Sequence, residues 1–188
     1  MTAAILVPGY GGTADQPILV RLAARLEAAG ITPARMAFST TRPSRGYASE
    51  KQELRAARDA QVARSGAPIA LVGRSFGGRM CAFLAAEEPP DALVILGHPI
   101  APPDRPRPAD EAALLGIRCP TLIVQGDHDD LGPVAVLERI AGRNPRIDLV
   151  VIRGAGHDYG THEAEALDVA ARWLGSVLHW RPAPHVSC

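Results

Sequence analysis

Short apolar runs recur along the chain at Ala3–Val7, Arg35–Phe38, Ile69–Val72, Ala92–Leu96, Thr121–Gln125 and Ile147–Ile152. Most lack period-two alternation, which is how strands read when a parallel sheet is covered on both faces. The second run is placed by rhythm more than by composition. Helical stripes lie between the runs. Ile18, Leu22 and Leu26 form one apolar face, with Gly30 as its stop. Ser49 and Gln52 read as a capping box opening a second helix, whose core positions include Leu54 and Val62. Met80, Phe83 and Leu84 mark a third, ended by Pro89-Pro90. Pro133 suits the first turn of a fourth, with Leu137 and Ile140 inward, and Leu167, Ala170, Leu174 and Val177 mark the last. Strands alternating with helices predict an α/β fold with a parallel sheet and right-handed crossovers.

A length of 188 residues fits one domain. The pattern assigns residues 1–179 to that domain and 180–188 to a loose C-terminal tail. The irregular stretch from His98 to Asp110, rich in Pro and Arg, is too short for a lid domain but long enough to wall a pocket. Twenty basic and twenty acidic residues balance. Nothing in that balance points to nucleic acid, an anionic membrane or a strongly charged substrate. Cys81, Cys119 and Cys188 have no metal-ligand or redox spacing and suit free thiols in a reducing compartment. The N-terminus lacks the features of a signal peptide, and no apolar run is long enough to cross a bilayer. The expected location is cytoplasmic.

The third run leads into Gly73-Arg74-Ser75-Phe76-Gly77-Gly78 and then a helical pattern. This is G-x-S-x-G in the strand–turn–helix context that exposes a serine hydroxyl. Glycines two before and two after the serine relieve crowding at such a turn, and Gly78 lets the helix pack close to the sheet. The plain alternative is a Gly-rich turn with a capping serine. Placement after a buried run favours a nucleophile at Ser75, with the Phe76 N–H at a helix start, facing developing negative charge.

With this motif in this place the chain resembles the α/β-hydrolase superfamily. The resemblance implies an acid after the next-to-last strand and a histidine after the last one. Gly154-Ala155-Gly156-His157-Asp158 supplies His157 as the general base, with His162 as runner-up and an ordinary exposed loop histidine as the plain reading. Gly126-Asp127-His128-Asp129-Asp130 supplies the acid. The superfamily spacing Gly-x-x-Asp selects Asp129, while Asp127 and Asp130 remain open. Val7-Pro8-Gly9-Tyr10-Gly11-Gly12 stands where the superfamily carries a His-Gly-x-Gly turn, so the Tyr10 and Phe76 N–H groups would form the oxyanion hole. Pro8 in place of histidine puts the supporting hydrogen bond of that loop in doubt. A calcium loop through Asp127, Asp129, Gly132 and Glu138 fails at Leu131 and Pro133. Zinc on Asp127, His128, His157 and His162 lacks a recognised spacing. No P-loop is present.

Within the superfamily the chain is similar to compact hydrolases related to dienelactone hydrolase and to subunit three of the animal NSL acetyltransferase complex. Gly73–Arg79, Leu96-Gly97-His98-Pro99, Val124-Gln125-Gly126-Asp127 and Gly156-His157 carry the likeness. The Val7-Pro8-Gly9 start also resembles serine hydrolases of the retinoblastoma-binding protein 9 type. These likenesses imply a three-layer α/β/α sandwich lacking the first two strands of larger relatives. Six mainly parallel strands would run in the order 2-1-3-4-5-6, with no lid domain. They imply a serine hydrolase that cleaves a small carboxylic ester or related acyl bond through an acyl-enzyme, without metal or cofactor. The partner would be a small or polar ester, not nucleic acid or membrane, and the chain a monomer or homodimer. The rival is a non-catalytic interaction module that retains the fold. Arg74 would make a salt bridge or touch an anionic substrate. His98 would border the pocket or simply cap a strand end.

Overall fold

The computed structural model describes residues 2–66, 68–103 and 105–179. The proposed tail at 180–188, with Cys188, lies outside the described residues. Six strands form one sheet: β1 (Thr2–Val7), β2 (Ile31–Arg35), β3 (Ile69–Arg74), β4 (Ala92–Leu96), β5 (Thr121–Gly126) and β6 (Ile147–Ile152). Every pairing is parallel, and the order is β2-β1-β3-β4-β5-β6. Both expectations from the sequence hold. The helices are α1 (Pro17–Ala28), α2 (Ala48–Ser65), α3 (Phe76–Glu87), α4 (Pro108–Gly116), α5 (Val134–Ala141) and α6 (Glu163–His179).

Two cores flank the sheet. Ala4, Leu6, Val72, Val94 and Val124 face α1 and α6, meeting Leu19, Leu22, Leu167 and Leu174. Ile5, Leu71, Leu93 and Ile123 face the opposite layer, meeting Leu54 of α2, Met80 and Leu84 of α3, Leu114 of α4 and Leu137 of α5. Successive strand residues point to opposite faces, so a strand covered on both needs apolar residues throughout. β1, β3, β4 and β5 meet that condition apart from Thr2 and Thr121 at their starts and Arg74 and Gln125 near their ends, and their apolar runs follow from it.

The structure corrects several local expectations. β2 occupies Ile31–Arg35 rather than Arg35–Phe38. It is an edge strand with Ile31 alone buried, and an edge position accommodates Pro33 because one side makes no ladder. Met36 and Phe38, which suggested a strand, pack as partly buried loop residues on the α3 side. α2 begins at Ala48, after Tyr47 at φ 58°, and Ser49 does not cap it. Ser44 serves instead: its hydroxyl accepts the Ser49 N–H at 3.1 Å, and Glu50 accepts both the Ser44 N–H at 2.8 Å and its hydroxyl at 2.6 Å. Val62 is 45% exposed, whereas Gln61 is buried. Pro133 stands just before α5 rather than within its first turn.

α4 had no counterpart in the sequence reading. It starts at Pro108, a residue suited to the first turn, and buries Ala113 and Leu114. Its anchor to α3 is electrostatic: Arg79 donates to both carboxylate oxygens of Asp110, at 2.5 and 2.9 Å, and both residues are buried. Cys81 and Cys119 are free and buried. Among the described residues no helix is long and apolar enough to cross a membrane.

Removing one member of a buried pair leaves the other charged and uncompensated. Asp110→Ala is expected to destabilise the fold by about 3–5 kcal/mol, read as a shift in the chemical denaturation midpoint.

Candidate active site

The carboxyl ends of β1, β3, β5 and β6 converge on one edge of the sheet. At the end of β3 the chain turns so sharply that Ser75 takes φ 49° and ψ −111°, outside the comfortable regions for a residue with a Cβ. The Ser75 N–H is held by the Leu96 carbonyl at 2.9 Å. A Cβ on Gly73 would come within 2.4 Å of the Gly78 nitrogen, so the turn closes only with glycine there. Gly77 has a different neighbour from the one expected. A Cβ there would lie 2.4 Å from the Pro8 carbonyl oxygen and 2.5 Å from that of Val7, so Gly77 lets α3 dock on the end of β1.

Ser75 Oγ lies 2.8 Å from His157 Nε2, and His157 Nδ1 lies 2.7 Å from Asp129 Oδ2. Of the three acidic candidates, Asp129 is the one that reaches the imidazole. Asp127 accepts the Gly154 N–H at 2.7 Å and so joins the β5 and β6 loops. Asp130 is exposed. His162 sits 3.8 Å from Glu165 at the start of α6. Among the described residues no group of three or more His, Cys, Asp or Glu is placed to hold a metal ion.

Asp129 is embedded in a network that the sequence did not disclose. Gln125 donates from Nε2 to Asp129 Oδ2 at 2.7 Å and to the Gly132 carbonyl at 2.9 Å, while its Oε1 accepts the His98 N–H at 2.7 Å. The Leu131 N–H adds a bond to Asp129 Oδ1 at 2.9 Å. Burial pushes the Asp129 carboxyl up, but the hydrogen bond and charge of His157 and the Leu131 N–H more than offset it. The net shift is downward. The only sequence signal for Gln125 was an amide at the end of an otherwise apolar strand.

Arg74 makes no salt bridge among the described residues, contrary to one reading, and it does not line the cavity at Ser75. It is buried. Its Nη2 donates to the His157 carbonyl at 2.6 Å and its Nη1 to the Leu96 carbonyl at 3.2 Å, with Nη1 also 3.3 Å from His157 Nε2. Burial pushes its pKa down. Two N–H or O–H donors near Nε2 and a carboxylate at Nδ1 are all satisfied by one tautomer, with the proton on Nδ1. Tyr159, buried at φ 64°, donates its hydroxyl to the Val124 carbonyl at 2.7 Å and fixes the chain just past His157.

The loop after β1 is closed by the Gly12 N–H on the Gly9 carbonyl at 3.0 Å and by the Gly9 N–H on Gln16 Oε1 at 2.9 Å. Gln16 thus supplies the support that Pro8 cannot. Tyr10 is 64% exposed, and its ring meets that of Phe76 edge-on at 6.0 Å. Phe76 opens α3, where N–H groups lack intrahelical partners. His98 is buried away from the cavity. Among the described residues its two ring nitrogens have no hydrogen-bond partner, and burial pushes its pKa down to about 4.

Comparison with known proteins agrees with this architecture. The model of the alpha/beta hydrolase domain family matches residues 1–177. No curated protein matches the chain. Est1E from Butyrivibrio proteoclasticus with ferulic acid bound is 18% identical and superposes with a TM-score of 0.81, over 96% of this chain and 90% of that one. Dienelactone hydrolase from Anabaena variabilis is 20% identical, with a TM-score of 0.78 over 95% and 88%. The esterase domain of a Rhodothermus marinus protein is 17% identical, with a TM-score of 0.73 over 94% and 87%. At these identities the likeness is one of fold, and the family model covers nearly the whole sequence: the chain belongs to the alpha/beta hydrolase domain family.

Proposed function

We propose that the chain is a serine hydrolase that cleaves small carboxylic esters or related acyl bonds through an acyl-enzyme. The observation that carries this reading is the continuous hydrogen-bonded line from Ser75 Oγ through the imidazole of His157 to Asp129. Ser75 would attack the carbonyl carbon as His157 Nε2 takes its proton, and Asp129 would stabilise the resulting imidazolium. The Tyr10 and Phe76 N–H groups would hold the tetrahedral oxyanion. His157 would then protonate the leaving alcohol, and water would release the acid by the reverse sequence. The dienelactone hydrolase and esterase names among the structural neighbours support acyl chemistry. The cavity beside Ser75, about 360 Å³, suits a small substrate. The rival reading, a non-catalytic module, leaves the strained serine turn and the aligned imidazole without a task.

A fluorophosphonate probe separates the two. The folded protein should label on Ser75, and Ser75→Ala should abolish labelling along with hydrolysis of 4-nitrophenyl esters; an unlabelled wild type would refute the enzyme. Asp129→Asn, which keeps the shape but disrupts the tautomer, should lower kcat by about 10⁴-fold.

The depressed pKa of Asp129 also predicts a pH dependence of stability. A carboxylate lowered in the folded state stabilises the fold above the ordinary range near pH 4, and the contribution is lost as pH falls through the native value. Denaturation midpoints compared between about pH 7 and pH 3 should therefore fall less steeply for Asp129→Asn than for wild type.

A further inference from the structure

The cavity that reaches Ser75 is lined by two unlike kinds of side chain: the aromatic Tyr10, Tyr47 and Phe76, and the cationic Arg79, Arg105 and Arg107. These cations differ in how they are compensated. Arg79 is neutralised by the two-pronged bond to Asp110, with its guanidinium also 5.0 Å from the Tyr47 ring. Arg107 has no carboxylate partner among the described residues. One arm donates to the Pro99 carbonyl at 2.7 Å, which fixes the group at the wall and leaves other N–H donors of the fork free. Partial burial, and then the positive charge of Arg79, push its pKa down. Arg105 is exposed, its backbone N–H on the Pro102 carbonyl at 3.0 Å, and it too lacks an acidic partner among the described residues. Asp104 lies outside them. Buried His98 is neutral near pH 7 and adds no charge near these arginines.

A fixed, partly buried guanidinium beside a second free one matches the planar, two-oxygen face of a carboxylate or phosphate. We propose that Arg105 and Arg107 form an anion-binding subsite in the Ser75 cavity, selecting acyl substrates that carry a carboxylate or phosphate away from the scissile carbonyl. The proposal rests on the hydrolase reading for its substrate and on the cavity alone for its binding site.

The test compares kcat/KM for 4-nitrophenyl hemiglutarate with that for 4-nitrophenyl butyrate. The wild type should favour the anionic ester by about tenfold at low salt, and the preference should shrink as salt is raised. Arg107→Gln should remove most of the preference. The exposed Arg105→Glu, which leaves no buried group unpaired, should lower it independently. No preference in the wild type, or a parallel loss on both esters in the variants, overturns the subsite. Competition by glutarate against inorganic phosphate distinguishes a carboxylate-bearing from a phosphorylated substrate. If neither ester is cleaved, the hydrolase reading fails separately. Calorimetric titration of monomethyl glutarate and inorganic phosphate then decides the subsite: binding weakened in Arg107→Gln upholds it, and no binding at millimolar ligand refutes it.

Discussion

Backbone pressed against backbone, with no room for a single Cβ, is the constraint on which the site depends. It recurs along the carboxyl edge of the sheet. Gly77 brings α3 against the end of β1. Gly126 faces the Ala155 carbonyl oxygen, 2.2 Å from where a Cβ would lie, and Gly132 faces that of His98 at 2.1 Å. Each contact joins a different pair of segments. Together they set the loops after β1, β3, β4, β5 and β6 at fixed distances from one another. Alignment of Ser75, His157 and Asp129 requires sub-ångström placement of three loops, and rigid main-chain contacts provide it better than flexible side chains would.

Polar groups then hold what the glycines bring together. Gln125, Arg74 and Tyr159 are buried, and each makes hydrogen bonds to a neighbouring strand or loop. A buried donor left unmatched is costly, so these residues favour a single loop arrangement over near alternatives. Arg74 is the least obvious of them. A cation without a carboxylate is an expensive way to brace a loop, and its low-dielectric setting disfavours the charge. Two carbonyl acceptors and the field of Asp129 offset part of that cost. His98 is the contrast: among the described residues its ring makes no hydrogen bond, and burial favours its neutral form.

What the sequence revealed follows the same physics. Strands buried on two faces must be largely apolar, so β1, β3, β4 and β5 were legible, while the order of the sheet followed from the family likeness. β2 was misplaced because an edge strand with one buried residue leaves almost no hydrophobic signature, while the nearby Met36 and Phe38 imitate one. α4 was hidden by the Pro and Arg residues before it and by an anchor that is ionic rather than apolar. At the site, Ser75 was marked by its flanking glycines, and His157 and Asp129 by a family likeness in spacing. Gln16 and Tyr159 left no trace, and Gln125 only an amide at a strand end, because little that is local distinguishes a side chain that bonds across segments from one that faces solvent. Arg74 drew attention by adjacency, yet strand alternation turns it away from the cavity that opens beside Ser75.

Formal neutrality concealed how unevenly charge is deployed. The twenty basic and twenty acidic residues balance only as a sum. At the carboxyl edge, arginines have separate partners: Arg74 bonds backbone carbonyls, and the charge of Arg79 is compensated by Asp110. Arg105 and Arg107 come from the Pro-rich segment between β4 and α4, beyond its buried start at His98–Ile100. A segment of that kind can change its side chains without disturbing the sheet, whereas Arg74 is locked between β3 and the His157 loop. On the proposed reading, recognition sits on the former and the geometry around Ser75 on the latter, so substrate preference can vary while the Ser75–His157–Asp129 line stays fixed.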